Sequence, residues 1–155
     1  MVHDIDIILS LVSSKVKQLQ AIGIPILTPT SDIANARIEF ENGCIANLTA
    51  SRVSKEKIRK TRIFQPDGIL SIDYLFQKLS FSKKVAFHGK EKIPEMVAEE
   101  IPVQKIDLLE AEIDSFLQSV RDRKNARVSG LDGKRVLELA LQIIHKIDAL
   151  HRKSN

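Results

Sequence analysis

Apolar residues recur at helical spacing from the start of the chain. Ile5, Ile8, Leu9 and Val12 fall at offsets 0, 3, 4 and 7, one stripe of an amphipathic helix that the pattern ends near Ser13-Ser14. No Ser, Thr, Asp or Asn cap precedes the run. His3 and Asp6 are three residues apart, so they share a face beside the stripe. A strand is expected from Lys15 to Ile22, closed by Gly23. Pro25 and Pro29 then mark a loop, with turn chemistry at Thr30-Ser31-Asp32.

The clearest element follows. Ala34, Ala36, Ile38 and Phe40 alternate with Asn35, Arg37, Glu39 and Glu41, the period of a strand. Asn42-Gly43 suits a two-residue type I′ turn, and Cys44 to Arg52 returns. In that register Glu41 pairs with Cys44, Phe40 with Ile45 and Ile38 with Asn47. Neither face is then uniformly polar, which predicts a sheet covered on both sides. Ile58 to Gln65 reads as a basic strand, Pro66-Asp67-Gly68 as a turn, and Ile69 to Tyr74 and Lys78 to Phe87 as further strands. Residues 88–106, with Pro94 and Pro102, read as a long excursion without assigned structure.

Two helices are expected to close the chain. Asp107 can cap the first, with Glu110 at the box position and a stripe of Leu109, Ile113, Phe116, Leu117 and Val120. Cations from Arg121 to Arg127 end it. Ser129-Gly130-Leu131-Asp132 resembles a second capping box, before an apolar face of Val136, Leu137, Ala140, Ile143, Ile144, Ile147 and Leu150. The sum is a helix, five or six antiparallel strands and two helices. That is an α+β fold: a single domain over residues 1–155, an open sheet with helices on one face and the other face free for a partner.

Composition narrows the classes. With 43% hydrophobic and 28% charged residues in 155, the chain has the makeup of a soluble domain with a real core. One cysteine, Cys44, excludes an internal disulfide and makes a reducing cytoplasm the default expectation. No cationic leader is visible, and the apolar run at Ile7 to Val12 is too short to span a bilayer, so no membrane role is expected. A net charge of +4, with one Tyr and no Trp, is too weak a basis for nucleic-acid binding.

No G-x-G-x-x-G, P-loop or HExxH motif occurs, and the four histidines are scattered, so neither a cofactor cradle nor a metal site is predicted. His3 is the best single candidate for chemistry, because an imidazole near neutral pKa can take a proton from an alcohol. Its plainer alternative is an exposed or capping histidine. His145 and His151 read as helix-surface or partly buried residues, and Cys44 as a packing residue beside the hairpin turn. Arg52, Arg59 and Arg62 read as a solvated strand face, or more rarely as a phosphate contact.

Val2-His3-Asp4-Ile5-Asp6-Ile7-Ile8-Leu9 resembles the helix after the nucleotide-binding domain in the glucose–fructose oxidoreductase / inositol dehydrogenase / MocA family. Three further stretches resemble that family's C-terminal domain in order and spacing: Asp32 to Leu48, Gly68 to Tyr74, and Phe116 through Gly130-Leu131-Asp132-Gly133. The resemblance covers nearly the whole chain. It implies the substrate-binding and oligomerisation half of an NAD(P)-dependent dehydrogenase acting on a sugar, nucleotide sugar or cyclitol. It places His3 on the family's catalytic histidine and Asp6 on an acidic residue that orients it or touches substrate. The family's lysine, aspartate and glycine-rich turn would lie upstream of Met1. The implied intact protein binds NAD or NADP and forms a homodimer or tetramer through the open sheet face, whereas these 155 residues alone are expected to be inactive. The alternatives are a non-catalytic dimerisation or ligand-binding module of the same fold, and an anion- or nucleic-acid-binding domain using Lys55 through Arg62.

Overall fold

The computed structural model describes residues 1–85 and 95–154. The elements in order are α1 (Val2–Leu11), β1 (Val16–Ile24), β2 (Ile33–Phe40), β3 (Ile45–Ser51), β4 (Lys60–Gln65), β5 (Gly68–Asp73), β6 (Lys78–Val85), β7 (Glu95–Ile101), α2 (Leu108–Arg121) and α3 (Gly130–Ser154). The fold is α+β, with all strand pairs antiparallel. Among the described residues seven strands form two sheets, β1-β2-β3 and β4-β5-β6-β7, not one meander of five or six. The chain makes two compact units: Met1–Lys55 with the chain from Asp114 onward, and Glu56–Ile113.

The core of the first unit lies on one face of β1-β2-β3. Leu19, Ala21, Ala36, Ile38, Phe40 and Leu48 meet Ile5 of α1 and Val136, Leu139, Ile143 and Ile147 of α3. Ile5 and Ile38 are wholly buried. The β2–β3 hairpin corrects the expected register. Ile38 pairs with Ala46 and Glu39 with Ile45. The Phe40 amide donates to the Cys44 carbonyl, the Gly43 amide donates to the Phe40 carbonyl, and Gly43 has φ +85°. Three residues, not two, turn the chain, and a glycine in the left-handed region closes the turn. A shift of one residue exchanges faces. Ala46 and Leu48 therefore join the apolar side, and Ile45, Asn47 and Thr49 join the other. Within this chain, helices cover the apolar face of the sheet, and the outer face is mostly polar.

Gly23 lets α3 approach β1. A Cβ at this position would meet the Ser31 hydroxyl oxygen and would lie 2.7 Å from Ile147 Cγ2. The Gly23 carbonyl also lies 2.7 Å from His151 Nε2, which ties the end of α3 to the strand. His151 is thus a partly buried structural residue. Both C-terminal helices carry the expected caps. Asp107 Oδ1 accepts from the Leu109 and Glu110 amides at 2.9 and 3.1 Å. Ser129 and Asp132 form a reciprocal box: the Ser129 amide donates to Asp132 Oδ2 at 2.9 Å, and the Asp132 amide donates to Ser129 Oγ at 3.3 Å.

Helix burial differs from the sequence pattern in two places. α3 buries Leu139, whereas Leu137 and Ile144 of the expected face are exposed. No residue of α2 is buried. In the second unit, Leu79 to Val85 pairs with Glu95 to Ile101. A strand therefore occupies part of the 88–106 segment, where alternation in Met96-Val97-Ala98-Glu99-Glu100 is too weak to signal one. Residues 88–94 of that segment, and the end of the strand expected to reach Phe87, lie outside the described residues.

Candidate functional site

His3 stands in the first turn of α1. The stripe below it fixes the helix: Ile5 is buried, and Ile8, Leu9 and Val12 pack against the core. No side chain caps the helix, and the Met1 ammonium pairs with Asp4 at 3.0 Å. His3 is exposed and Asp6 half-buried. Among the described residues no hydrogen bond or ion pair is made by either side chain, and none joins the two. A histidine free of other duties on a rigid helix is open to an incoming hydroxyl; a carboxylate one turn on is open to accept from one.

Asp6 also lines a groove of about 820 Å³ formed by α1, the connection to β1, and the first turns of α3. Leu9, Val12, Val136 and Leu139 supply its apolar surface, and Lys15, Arg127 and Arg135 its cations. The sequence pattern missed these three as a group. Lys15 opens a strand and Arg127 ends a basic run, so nothing local marks them as neighbours. Asp132, at the same place, has its carboxyl held below the usual carboxylate range. The Ser129 hydroxyl is the main cause, the Ser129 amide and the Arg135 charge add to it, and desolvation opposes.

Two other constellations are structural. Asp32 is 3% exposed. Its Oδ2 accepts the Ile26, Leu27 and Thr28 amides at 2.8, 2.6 and 2.9 Å, and Oδ1 accepts the Thr28 hydroxyl at 2.8 Å. The Ile26 and Thr28 amides hold the carboxyl far below its ordinary range despite desolvation. This carboxylate builds the 25–31 loop and has no spare capacity for chemistry. In the second unit, Lys60 of the basic strand is 3.0 Å from Asp73. Desolvation raises the Asp73 carboxyl, but Lys60 and the Phe76 and Leu75 amides outweigh it, so the net direction is down. The basic strand thus spends one of its cations internally.

No G-x-G-x-x-G turn that would cradle a dinucleotide occurs in the sequence. The glycine that sits in the left-handed region, Gly43, closes a hairpin, and Gly23 and Gly68 are filled against side chains or backbone. Among the described residues no group of His, Cys, Asp and Glu could hold a metal, and no helix is long and apolar enough to cross a membrane.

Residues 1–71 match the GFO/IDH/MocA C-terminal domain. That match spans a little under half of the chain. It is 35% identical over 149 residues to a UDP-N-acetylglucosamine 3-dehydrogenase of Acidithiobacillus ferrooxidans, covering 96% of this chain and 47% of that protein. The solved structure of that enzyme superposes with a TM-score of 0.87 at 35% identity, over 96% of this chain and 47% of the other. A levoglucosan dehydrogenase in complex with NADH and L-sorbose shares the fold, with a TM-score of 0.76 at 16% identity, over 96% and 46% of the two chains. An aldose-aldose oxidoreductase from Caulobacter crescentus does so with a TM-score of 0.72 at 17% identity, over 96% and 44%. The chain thus spans about half the length of the relatives it matches.

Proposed function

We propose that this chain is the substrate-binding and oligomerisation half of an NAD(P)-dependent dehydrogenase of the GFO/IDH/MocA kind. The substrate class is a nucleotide-linked sugar of the UDP-N-acetylglucosamine kind. The observation that carries the reading is 35% identity to such an enzyme along almost the whole chain, with an exposed His3 at the start of the helix that both the sequence and the fold set in place.

The chain's own part in the reaction is proton transfer. The neutral imidazole of His3 takes the hydroxyl proton of the reacting carbinol, or returns it in the reverse direction. Asp6, one turn on, accepts a substrate hydroxyl or steadies the imidazolium. NAD or NADP is held by residues outside this chain, so the 155 residues alone are inactive. The open face of β1-β2-β3 pairs with another copy of the protein, as a homodimer or tetramer. Its amides and hydroxyls, among them Asn35 with Thr49 and Arg37 with Asn47, can exchange partners across an isologous contact. A reducing cytoplasm suits the exposed Cys44.

Turnover of UDP-N-acetylglucosamine with NAD or NADP by the whole protein tests the reading. His3→Ala is expected to lower kcat by about 10²–10⁴-fold, the usual worth of a positioned acid/base. Undiminished turnover would transfer the case to a non-catalytic module of the same fold.

A further inference from the structure

We propose that the groove between α1 and the start of α3 binds the diphosphate of the nucleotide-linked substrate, with Lys15 and Arg127 as its principal cations and Arg135 beside them. The proposal rests on the nucleotide-sugar reading and adds a second subsite to it, apart from His3.

The charges around the groove decide the class of ligand. Three carboxylates and three cations line it, but they are not equally committed. Asp132 is spent in the helix cap: its Oδ2 accepts the Ser129 amide and hydroxyl, and its Oδ1 lies 3.8 Å from Arg135. Glu138 lies 3.7 Å from Lys134. Lys15 and Arg127 have no ion-pair partner among the described residues, and Arg135 has only the long contact to Asp132. The one uncommitted carboxylate is Asp6, in the middle of α1, whereas Lys15 lies beyond that helix's C-terminus and Arg127 just before α3. The groove's lining includes two uncompensated cations and the first turns of α3, whose peptide dipoles also favour an anion. Asp6 offers a carboxylate to sugar hydroxyls.

A diphosphate matches two free cations better than a single phosphate does, because a guanidinium and an ammonium can each take one phosphoryl group. A pocket of this size lies within the range that small-molecule ligands occupy. Asp6 connects the two subsites: it lines the groove and shares a helix face with His3. A sugar set against His3 and Asp6 would thus point its linked phosphates along α1 toward Lys15 and Arg127.

Calorimetric titration of the whole protein with UDP, inorganic pyrophosphate and uridine tests this. The double variant Lys15→Gln, Arg127→Gln should weaken UDP by roughly tenfold or more, and the exchange Lys15→Arg, Arg127→Lys should recover most of that loss. Uridine binding should not change. Lys15 and Arg127 are both exposed, and a melting curve for each variant confirms that it folds. Wild-type UDP affinity in the Gln variant overturns the groove proposal and leaves the dehydrogenase reading intact if UDP-sugar turnover persists. Pyrophosphate binding as tight as UDP, with no competition between UDP-sugar and pyrophosphate, overturns it in favour of a separate free-diphosphate site. Turnover confined to sugars without a nucleotide, together with no UDP binding, overturns the nucleotide-sugar reading and the groove with it. His3→Ala should leave UDP affinity in place, which separates failure of the catalytic assignment from failure of the subsite.

Discussion

The hairpin register makes a pair of isoleucines respond very differently to the same truncation. Ile38 is fully buried, whereas Ile45 is 48% exposed on the opposite face. Ile→Ala removes three carbons. At about 0.8 kcal/mol per buried carbon the transfer loss at Ile38 is roughly 2.4 kcal/mol. The residual cavity adds to it, for a total of about 3–4 kcal/mol, within the usual range for such changes. At Ile45 the surface value of about 0.5 kcal/mol applies. In a chain of this size a loss of about 3 kcal/mol lowers Tm by roughly 6–12 °C. Urea unfolding followed by circular dichroism measures both variants, at several protein concentrations so that any association through the open face is seen separately. Equal losses for Ile38→Ala and Ile45→Ala at the lowest concentration would refute the three-residue turn, because only the two-residue register puts both side chains on one face. A larger Ile45 effect that grows with concentration would instead mark a contact between copies.

Gly23→Ala should destabilise by about 1–3 kcal/mol through overpacking, since the new methyl meets Ser31 and Ile147; a Tm equal to wild type would show that α3 can retreat. Ser129→Ala should cost about 1 kcal/mol by removing the reciprocal cap of α3, read from the urea midpoint. Asp32, Asp73 and Asp132 all have carboxyls held below their unfolded range. Their contribution is therefore fully present above about pH 4 and is lost as pH falls further through the folded values. The urea midpoint should be insensitive to these groups between pH 5 and 7, fall steeply below about pH 4, and fall less steeply in Asp32→Asn.

What lies within one element was legible without the fold. The stripe of Ile5, Ile8, Leu9 and Val12 needs only helical spacing, and the Asp107 and Ser129-Asp132 caps need only a side chain within reach of its own helix. The presence of a β2–β3 hairpin also followed from alternation around Asn42-Gly43. The type of turn did not, since the same two residues fit a two-residue or a three-residue loop, and the choice depends on which face of β3 the core accepts. Ala46 and Leu48 against Leu19, Ala21 and Ile38 settle it by burial. α3 was ambiguous for a similar reason. Leu137, Leu139, Ile143 and Ile144 span two adjacent stripes, and a sheet can cover only one.

His3 and Asp6 could be named from sequence because one helix carries both. The cationic lining of the groove could not be, because Lys15, Arg127 and Arg135 lie on segments brought together only by α1 and α3 packing on the same sheet. Local sequence determined which elements form and how they begin and end, since those choices are settled by hydrogen bonds and rotamers a few residues apart. Tertiary structure decided register, buried face and the meeting of distant charges, because those depend on apolar surface contributed by every element at once.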